Sequence, residues 1–164
     1  MTPEAFAAHI HRLGRAGIKA EIRSSLVVVG LRAERVAKDG YLSGTRLRVR
    51  SGRLRSSVAA RVETASDAVA ELHLRAGGGT GNVRYARIHE YGGTILPIRG
   101  KGLAIPVGRS LTAAGVSRGE GGEFRLVRSV TLPARHYMRD TLRLAADALV
   151  PVLGERLAAA MRGA

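Results

Sequence analysis

Two helix-length stripes of aliphatic residues, one near each end of the chain, limit the folds open to this sequence. In the first, apolar residues between Ile18 and Val36 recur every three or four positions, as on one face of a helix. Thr2-Pro3-Glu4 is a typical helix start, and Asp39-Gly40 is a typical end. We therefore predict a helix over residues 3–38, kinked near Gly14 to Gly17.

The second stripe runs from Met138 to Met161 and predicts a helix over residues 137–162, which Pro151 would bend. Between the helices, residues 43–135 alternate in short runs that Gly and Pro interrupt. The expected fold is therefore α+β, with a small antiparallel β-sheet packed by a long N-terminal helix and a C-terminal helix. We expect a single domain over residues 1–164.

Four short runs in the middle region are typical of strands, and the first two alternate apolar and polar residues. They predict strands, the first two forming a hairpin, at 57–64, 68–76, 103–107 and 124–132. A helix over 58–74 is the alternative, because Ala and Glu are frequent there. Residues 108–122 form a Gly/Ser-rich loop, expected to be mobile alone and ordered against a partner. Pro133-Ala134-Arg135 should end the last strand.

The most informative stretch is residues 85–95, YARIHEYGGTI. It predicts one or two helical turns that Gly92 or Gly93 ends in a left-handed conformation, followed by an extended exit. Amphipathic rings such as those of Tyr85 and Tyr91 are enriched at surfaces that are buried but still hydrogen-bonded. The residues expected on one face of this helix are Tyr85, Ile88 and Tyr91.

The adjacent His89 and Glu90 point away from that face, and they raise the question of a catalytic or metal site. A zinc-binding helix would need a second histidine four residues on, where the chain has Gly93. The chain also has no Cys and no Ser-centred nucleophile motif. A structural or interface role is therefore favoured over a small hydrolase, and we expect no catalytic residue, metal or cofactor.

The chain carries 27 Lys and Arg against 13 Asp and Glu, a net charge of +14. Such an excess favours contact with nucleic acid or with acidic protein surfaces. Five arginines follow one another without an intervening acid, and Arg/Leu/Val alternation predicts an extended segment with one charged face. A solvated charged loop is the alternative. The candidate polyanion or interface residues are Arg46, Arg48, Arg50, Arg53 and Arg55. No apolar run is long enough to span a membrane, so no membrane partner is expected.

Four segments in this order resemble the tailed-phage virion-morphogenesis proteins, the tail-completion or head–tail joining family typified by the G protein of Mu-like phages. The resemblance covers roughly residues 40–140. Its segments are RSGRLRSS at 50–57, YARIHEYGGTI at 85–95, KGLAIP at 101–106 and LPARHYMR at 132–139.

The resemblance implies a non-enzymatic subunit of the virion neck, assembled in the host cytoplasm. It implies a ring, commonly six-fold, with neighbouring neck, connector and tail-tube proteins as partners and genomic DNA passing through the lumen. The family has no catalytic residues to carry over. The positions that it marks as structural or interface residues are Gly52, Arg53, Leu54, Tyr85, His89, Glu90, Tyr91, Gly92, Gly93, Pro133 and Arg135.

Two other functions remain open beside a tail-completion protein. One is the tail terminator of the same neck, which is similar in size and fold. The other is a basic DNA-binding module that works alone, which the +14 charge favours.

Overall fold

The computed structural model describes residues 2–47, 49, 51–66, 69–78, 83–98, 100–106, 111–112, 115–116 and 124–162. The chain forms two compact units. The first contains Met1–Val36, Ala59–Arg75 and Asp140–Ala164, and the second contains Ala37–Val58 and Ala76–Arg139. The prediction of one domain over 1–164 stays a prediction.

Helices occupy both ends of the chain, and antiparallel strands lie between them. The helices are α1 (Pro3–Arg35), α2 (Arg53–Ser56), α3 (Ala86–Tyr91) and α4 (Tyr137–Arg162), and a π-helical segment, Val36–Tyr41, follows α1. The strands are β1 (Ala59–Ser66), β2 (Val69–Arg75), β3 (Gly93–Ile95), β4 (Leu103–Pro106), β5 (Leu111–Thr112), β6 (Gly115–Val116), β7 (Phe124–Val127) and β8 (Val130–Leu132). The predicted α+β class is confirmed.

The first unit packs the β1–β2 hairpin and α4 against α1. Val29 and Ala33 of α1 are buried together with Ala145 and Val152 of α4, and Leu72 of β2 packs against this cluster. The buried side chains of this cluster are small, and a close approach of the hairpin to α1 compensates for their size. At Gly30 a Cβ would lie only 2.7 Å from Leu72 Cδ1, so glycine lets the hairpin reach the helix backbone.

Two polar contacts hold the same elements in place. Glu34 of α1 accepts a hydrogen bond from the backbone N–H of Ala60 in β1, at 3.0 Å. Arg156 of α4 donates to Glu21 of α1, also at 3.0 Å, and the pair is half-buried. The hairpin register places Ala60 opposite Leu74 and Val62 opposite Leu72, so these half-buried apolar residues share one face. The predicted hairpin and its apolar face are confirmed.

The predicted kink in α1 is confirmed at Gly14, where φ is 58° and ψ is 176°. The predicted end of the helix is wrong. The chain continues past Asp39-Gly40 as π-helix to Tyr41, and Leu42 then donates its N–H to the Ala37 carbonyl five residues back, at 3.0 Å. The wider π-helical turn accommodates the residues that were expected to end the helix.

In the described part of the second unit, antiparallel pairing joins β3 with β8, β4 with β7 and β5 with β6. Pro106 ends β4, as predicted for a residue without an N–H. The single strand predicted over 124–132 is wrong. Its halves pair with different strands, so the chain must turn at Arg128-Ser129 between them.

The extended piece predicted from the alternation of Arg with Leu47 and Val49 stays a prediction, because Arg48 and Arg50 lie outside the described residues. Residues 42–47 form turns and bends, and Gly52, with φ of 69°, leads into the short helix α2. The N–H of Ser56 then bonds to the Gly52 carbonyl at 2.8 Å. Leu54 is buried in this short helix. The predicted loop 108–122 lies outside the described residues, apart from β5 and β6.

Candidate functional site

Most of the site residues predicted from the sequence come together where residues 85–95 contact residues 132–139. We call these two segments the Glu90 junction. Strand β3 pairs antiparallel with β8, so that Gly93 lies opposite Leu132. The next backbone N–H groups continue the pairing, because Arg135 and His136 donate to the carbonyls of His89 and Glu90, each at 3.1 Å. The structure thus joins two of the four segments that carry the family resemblance.

Two consecutive glycines bring the segments together. Gly92 has φ of 70° and Gly93 has φ of 145°, conformations that favour glycine. A Cβ at Gly92 would lie 2.6 Å from the Ala134 nitrogen and 2.9 Å from the Leu132 oxygen. Both atoms belong to the backbone and cannot rotate away. The predicted helix end and extended exit are confirmed, and the contact explains why glycine is required.

Glu90 is the central side chain of the junction. It is only 5% exposed, and its two carboxylate oxygens accept the N–H groups of Met138 at 2.8 Å and Arg139 at 3.0 Å. These N–H groups belong to the first turn of α4, which has no intrahelical acceptors for them. Glu90 therefore caps α4 from a distant part of the sequence. The positive end of the helix dipole further favours a carboxylate there.

The buried face of α3 differs from the predicted one. Ala86 and Glu90, four residues apart, are the buried residues of α3, whereas Tyr91 is 69% exposed. Helical spacing placed the tyrosines on one face and the glutamate elsewhere, and a carboxylate is costly to bury. Its two hydrogen bonds to backbone N–H groups offset that cost.

Tyr137 begins α4 beside this carboxylate. Its side chain is almost completely buried, and its hydroxyl donates to the Ala86 carbonyl at 3.3 Å. Burial, together with the nearby Glu90 charge, raises the pKa of Tyr137 to about 12. The preceding residue, His136, has a positive φ of 48°, which is uncommon outside glycine and turns the chain into the helix.

His89 and Arg135 form a second cross-contact of the junction. The guanidinium nitrogen Nη1 of Arg135 lies 3.0 Å from Nδ1 of His89. A guanidinium can only donate, so Nδ1 accepts and the imidazole proton resides on Nε2. Burial and the Arg135 charge both lower the pKa of His89. The Tyr85 ring packs edge-on against the imidazole, with 5.7 Å between the ring centroids.

The candidate polyanion arginines fall into three groups. Arg46 lies over the Tyr41 ring at 4.1 Å and donates to the Arg135 carbonyl at 2.7 Å. Arg55 pairs with Asp39 and donates to the Lys38 carbonyl at 3.2 Å. Arg53 is exposed, and Arg48 and Arg50 lie outside the described residues. Two of these side chains therefore have structural partners, so the five do not form one free cationic face.

Positive charge is nevertheless concentrated in one unit. The segments of the second unit contain 16 Lys and Arg against 4 Asp and Glu, a net charge of +12. Those of the first unit contain 11 against 9, a net charge of +2. The exposed cations of the second unit include Arg53, Arg84, Arg87, Lys101, Arg125 and Arg128. The positive charge that favours contact with a polyanion is thus spread over the whole second unit rather than confined to the run from Arg46 to Arg55.

Sequence reasoning missed Tyr137, Asp39 and Tyr41. Tyr137 lies inside the LPARHYMR segment and begins α4, and an amphipathic tyrosine at such a position is a signal for a buried, hydrogen-bonded ring. Asp39 is the nearest acid before the arginine run, which marks it as a partner for one of them. Pro133 is an exposed residue within the junction.

The junction uses its acid and imidazole to hold the backbone together. Both Glu90 oxygens bond to helix N–H groups, and Nδ1 of His89 bonds to Arg135. Within the described part of the chain, no group of three or more His, Asp or Glu side chains is placed to hold a metal ion. No helix among those same residues is long and apolar enough to cross a membrane.

Comparison with known proteins adds no relative. No family model matches the chain, and no curated protein or solved structure is significantly similar to it.

Replacing Glu90 by Gln tests the remote cap. The amide keeps one acceptor oxygen but presents an NH2 group to a helix N–H, so one buried donor loses its partner. We expect the free energy of unfolding to fall by about 1–3 kcal/mol. Urea denaturation followed by circular dichroism measures it. The matched control is Glu155→Gln, at an exposed carboxylate on α4, which should leave the urea midpoint unchanged. Equal effects of the two changes would contradict the cap.

Acidification should weaken the contact between His89 and Arg135. Because the folded-state pKa of His89 is lowered, the unfolded chain binds the proton first as the pH falls below about 6.5. The stability that neutral His89 contributes is fully present above that pH, and it is lost as the pH falls through the folded-state pKa. His89→Asn retains an acceptor near Nδ1 and removes the titration. The urea midpoint should therefore fall more between pH 7.5 and pH 5.5 in the wild type than in the His89→Asn variant. Equal falls in the two proteins would contradict the contact between His89 and Arg135.

Proposed function

We propose that this chain is a structural subunit of a tailed-phage neck, a tail-completion or head–tail joining protein that assembles into a ring. The observation that carries the proposal is the Glu90 junction. Residues 85–95 and 132–139, which resemble that family in sequence, are joined by the Glu90 cap and by backbone pairing. A motif whose acid and histidine stabilise the backbone favours a structural role over a catalytic one.

The fold supports the same function. The strands of each described ladder have an open edge, and exposed apolar side chains occur on several elements, including Leu31, Ile98, Leu126 and Val150. Such edges and side chains are usually covered by another protein. A ring supplies that cover, because each copy contacts its neighbours through two different surfaces. The +12 charge of the second unit suits DNA passing through the ring, or an acidic neighbouring protein.

Measuring the mass of the purified protein tests the ring. We expect native mass spectrometry and light scattering, over a series of protein and salt concentrations, to show a closed oligomer of about six chains of 17.4 kDa each. The subunit number should stay fixed as the concentration rises. An open series of sizes would contradict a closed ring. A monomer at all concentrations that binds duplex DNA in moderate salt would favour the second candidate function.

That second candidate, a DNA-binding module that works alone, is favoured by the segregation of charge. If phosphate contact resides in the second unit, replacing Arg53, Arg84 and Arg87 by Gln should weaken duplex binding equally for all sequences. The slope of log K against log salt should fall by about 0.9 for each lost phosphate contact. The matched control changes three exposed arginines of the first unit, Arg23, Arg32 and Arg35, to Gln. Equal losses in both variants would show that net charge alone drives binding.

A further inference from the structure

The ladder formed by β4 and β7 carries exposed apolar side chains on both of its faces. We call this element the ribbon. Leu126, 75% exposed, lies opposite Ala104, whereas Ile105, 37% exposed, lies opposite Arg125 on the other face. Phe124, two residues before Leu126, is half exposed. A two-stranded ribbon with apolar residues on both faces is marginally stable in water unless another surface covers it.

Helix α4 presents a second uncovered surface. Its inner side contributes Ala145 and Val152 to the core of the first unit. On its outer side, Leu144 is 50% exposed and Val150 is 76% exposed. We call this surface the outer face of α4. Asp147 lies between these two residues, one helical turn from each, so an acid interrupts an exposed apolar stripe.

Asp147 lets the outer face accept positive charge. The carboxylate of the same residue has no ion-pair partner among the described side chains. Asp147 therefore offers an exposed carboxylate on the outer face of α4.

The ribbon carries groups that complement this patch. Lys101, Arg125 and Arg128 are exposed along it, and no described acid pairs with any of them. Contact between two ribbons would bring like charges together, since each belongs to a unit with a net charge of +12. Contact between a ribbon and an outer face of α4 instead places Arg or Lys beside Asp147 and covers apolar side chains on both surfaces.

We propose that the ribbon of one copy packs on the outer face of α4 of a second copy. The two surfaces differ, so each copy has one of each to offer. Repetition of the contact produces a head-to-tail series, which closes into a ring when the rotation between copies permits. The inference rests on the proposed ring and identifies the two surfaces that form it.

The absence of cysteine from the natural sequence allows a direct test by disulfide formation. Two single variants, Leu126→Cys and Val150→Cys, are mixed in equal amounts and oxidised mildly. We expect a covalent dimer in the mixture on a non-reducing gel and little in either variant alone. The matched control pairs Leu126→Cys with Leu31→Cys, which lies on α1 and is also well exposed. Equal yields from both mixtures, or a dimer of the Leu126→Cys variant alone, would overturn the proposal.

Charge reversal supplies an independent test. Asp147→Arg should raise the protein concentration needed for assembly by about tenfold, because it faces the basic ribbon with another cation. Combining it with Arg125→Glu and Arg128→Glu should restore assembly. The control combines Asp147→Arg with Arg23→Glu and Arg32→Glu, which change the net charge equally on α1 and should not restore it. Equal rescue by both combinations would overturn the proposal.

The mass measurement separates the failure of this inference from that of the proposed function. A closed oligomer that gives no disulfide between positions 126 and 150 would overturn the paired surfaces and leave the ring intact. A protein that remains monomeric, and forms no disulfide in the mixture, would overturn both.

Discussion

The burial of the Glu90 carboxylate is the constraint on which the second unit depends. A buried charge without partners would cost several kcal/mol, so the fold must supply donors wherever this side chain lies. The first N–H groups of α4 are suitable because they need acceptors and lie at the positive end of the helix dipole. The requirement is thus mutual, since Glu90 needs the helix and the helix start needs Glu90.

That mutual requirement organises the surrounding contacts. Once Glu90 faces the first turn of α4, the segment before the helix must run alongside residues 89–95. The close approach at Gly92, the pairing of β3 with β8 and the contact between His89 and Arg135 follow from this course. Tyr137 then fills the space beside the carboxylate and bonds to α3. A few residues therefore fix a junction between segments some forty positions apart.

The elements that sequence predicted well are those whose signals are local. Helix α4 spans the predicted residues, and the glycine break in α1 lies at the predicted place. The errors occur where a tertiary contact decides. Strand pairing divides residues 124–132 between two ladders, and hydrogen bonds to α4 bury Glu90, which the helical spacing had placed elsewhere.

The candidate site shows the same division. The double glycine and the importance of residues 85–95 could be predicted, because a left-handed turn has a compositional signature. The burial of Glu90 could not be predicted, because the N–H groups that bond to its carboxylate belong to residues nearly fifty positions later. Likewise the arginine run drew attention to Arg46 and Arg55, whereas the structure gives both of them partners within the chain. Local patterns identify which residues matter more readily than they identify what those residues contact.

The interleaving of the two units has a consequence for the order in which they form during synthesis. All segments of the second unit precede residue 140, whereas the first unit takes its segments from both ends of the chain. The ribosome therefore releases α1 long before the part of α4 that packs against it. During that interval the hairpin can cover α1, but the residues that later meet Ala145 and Val152 have no helical partner. Vectorial synthesis thus delays completion of the core around α1 until α4 is made, and leaves α1 open to chaperones or to other nascent chains in the interval.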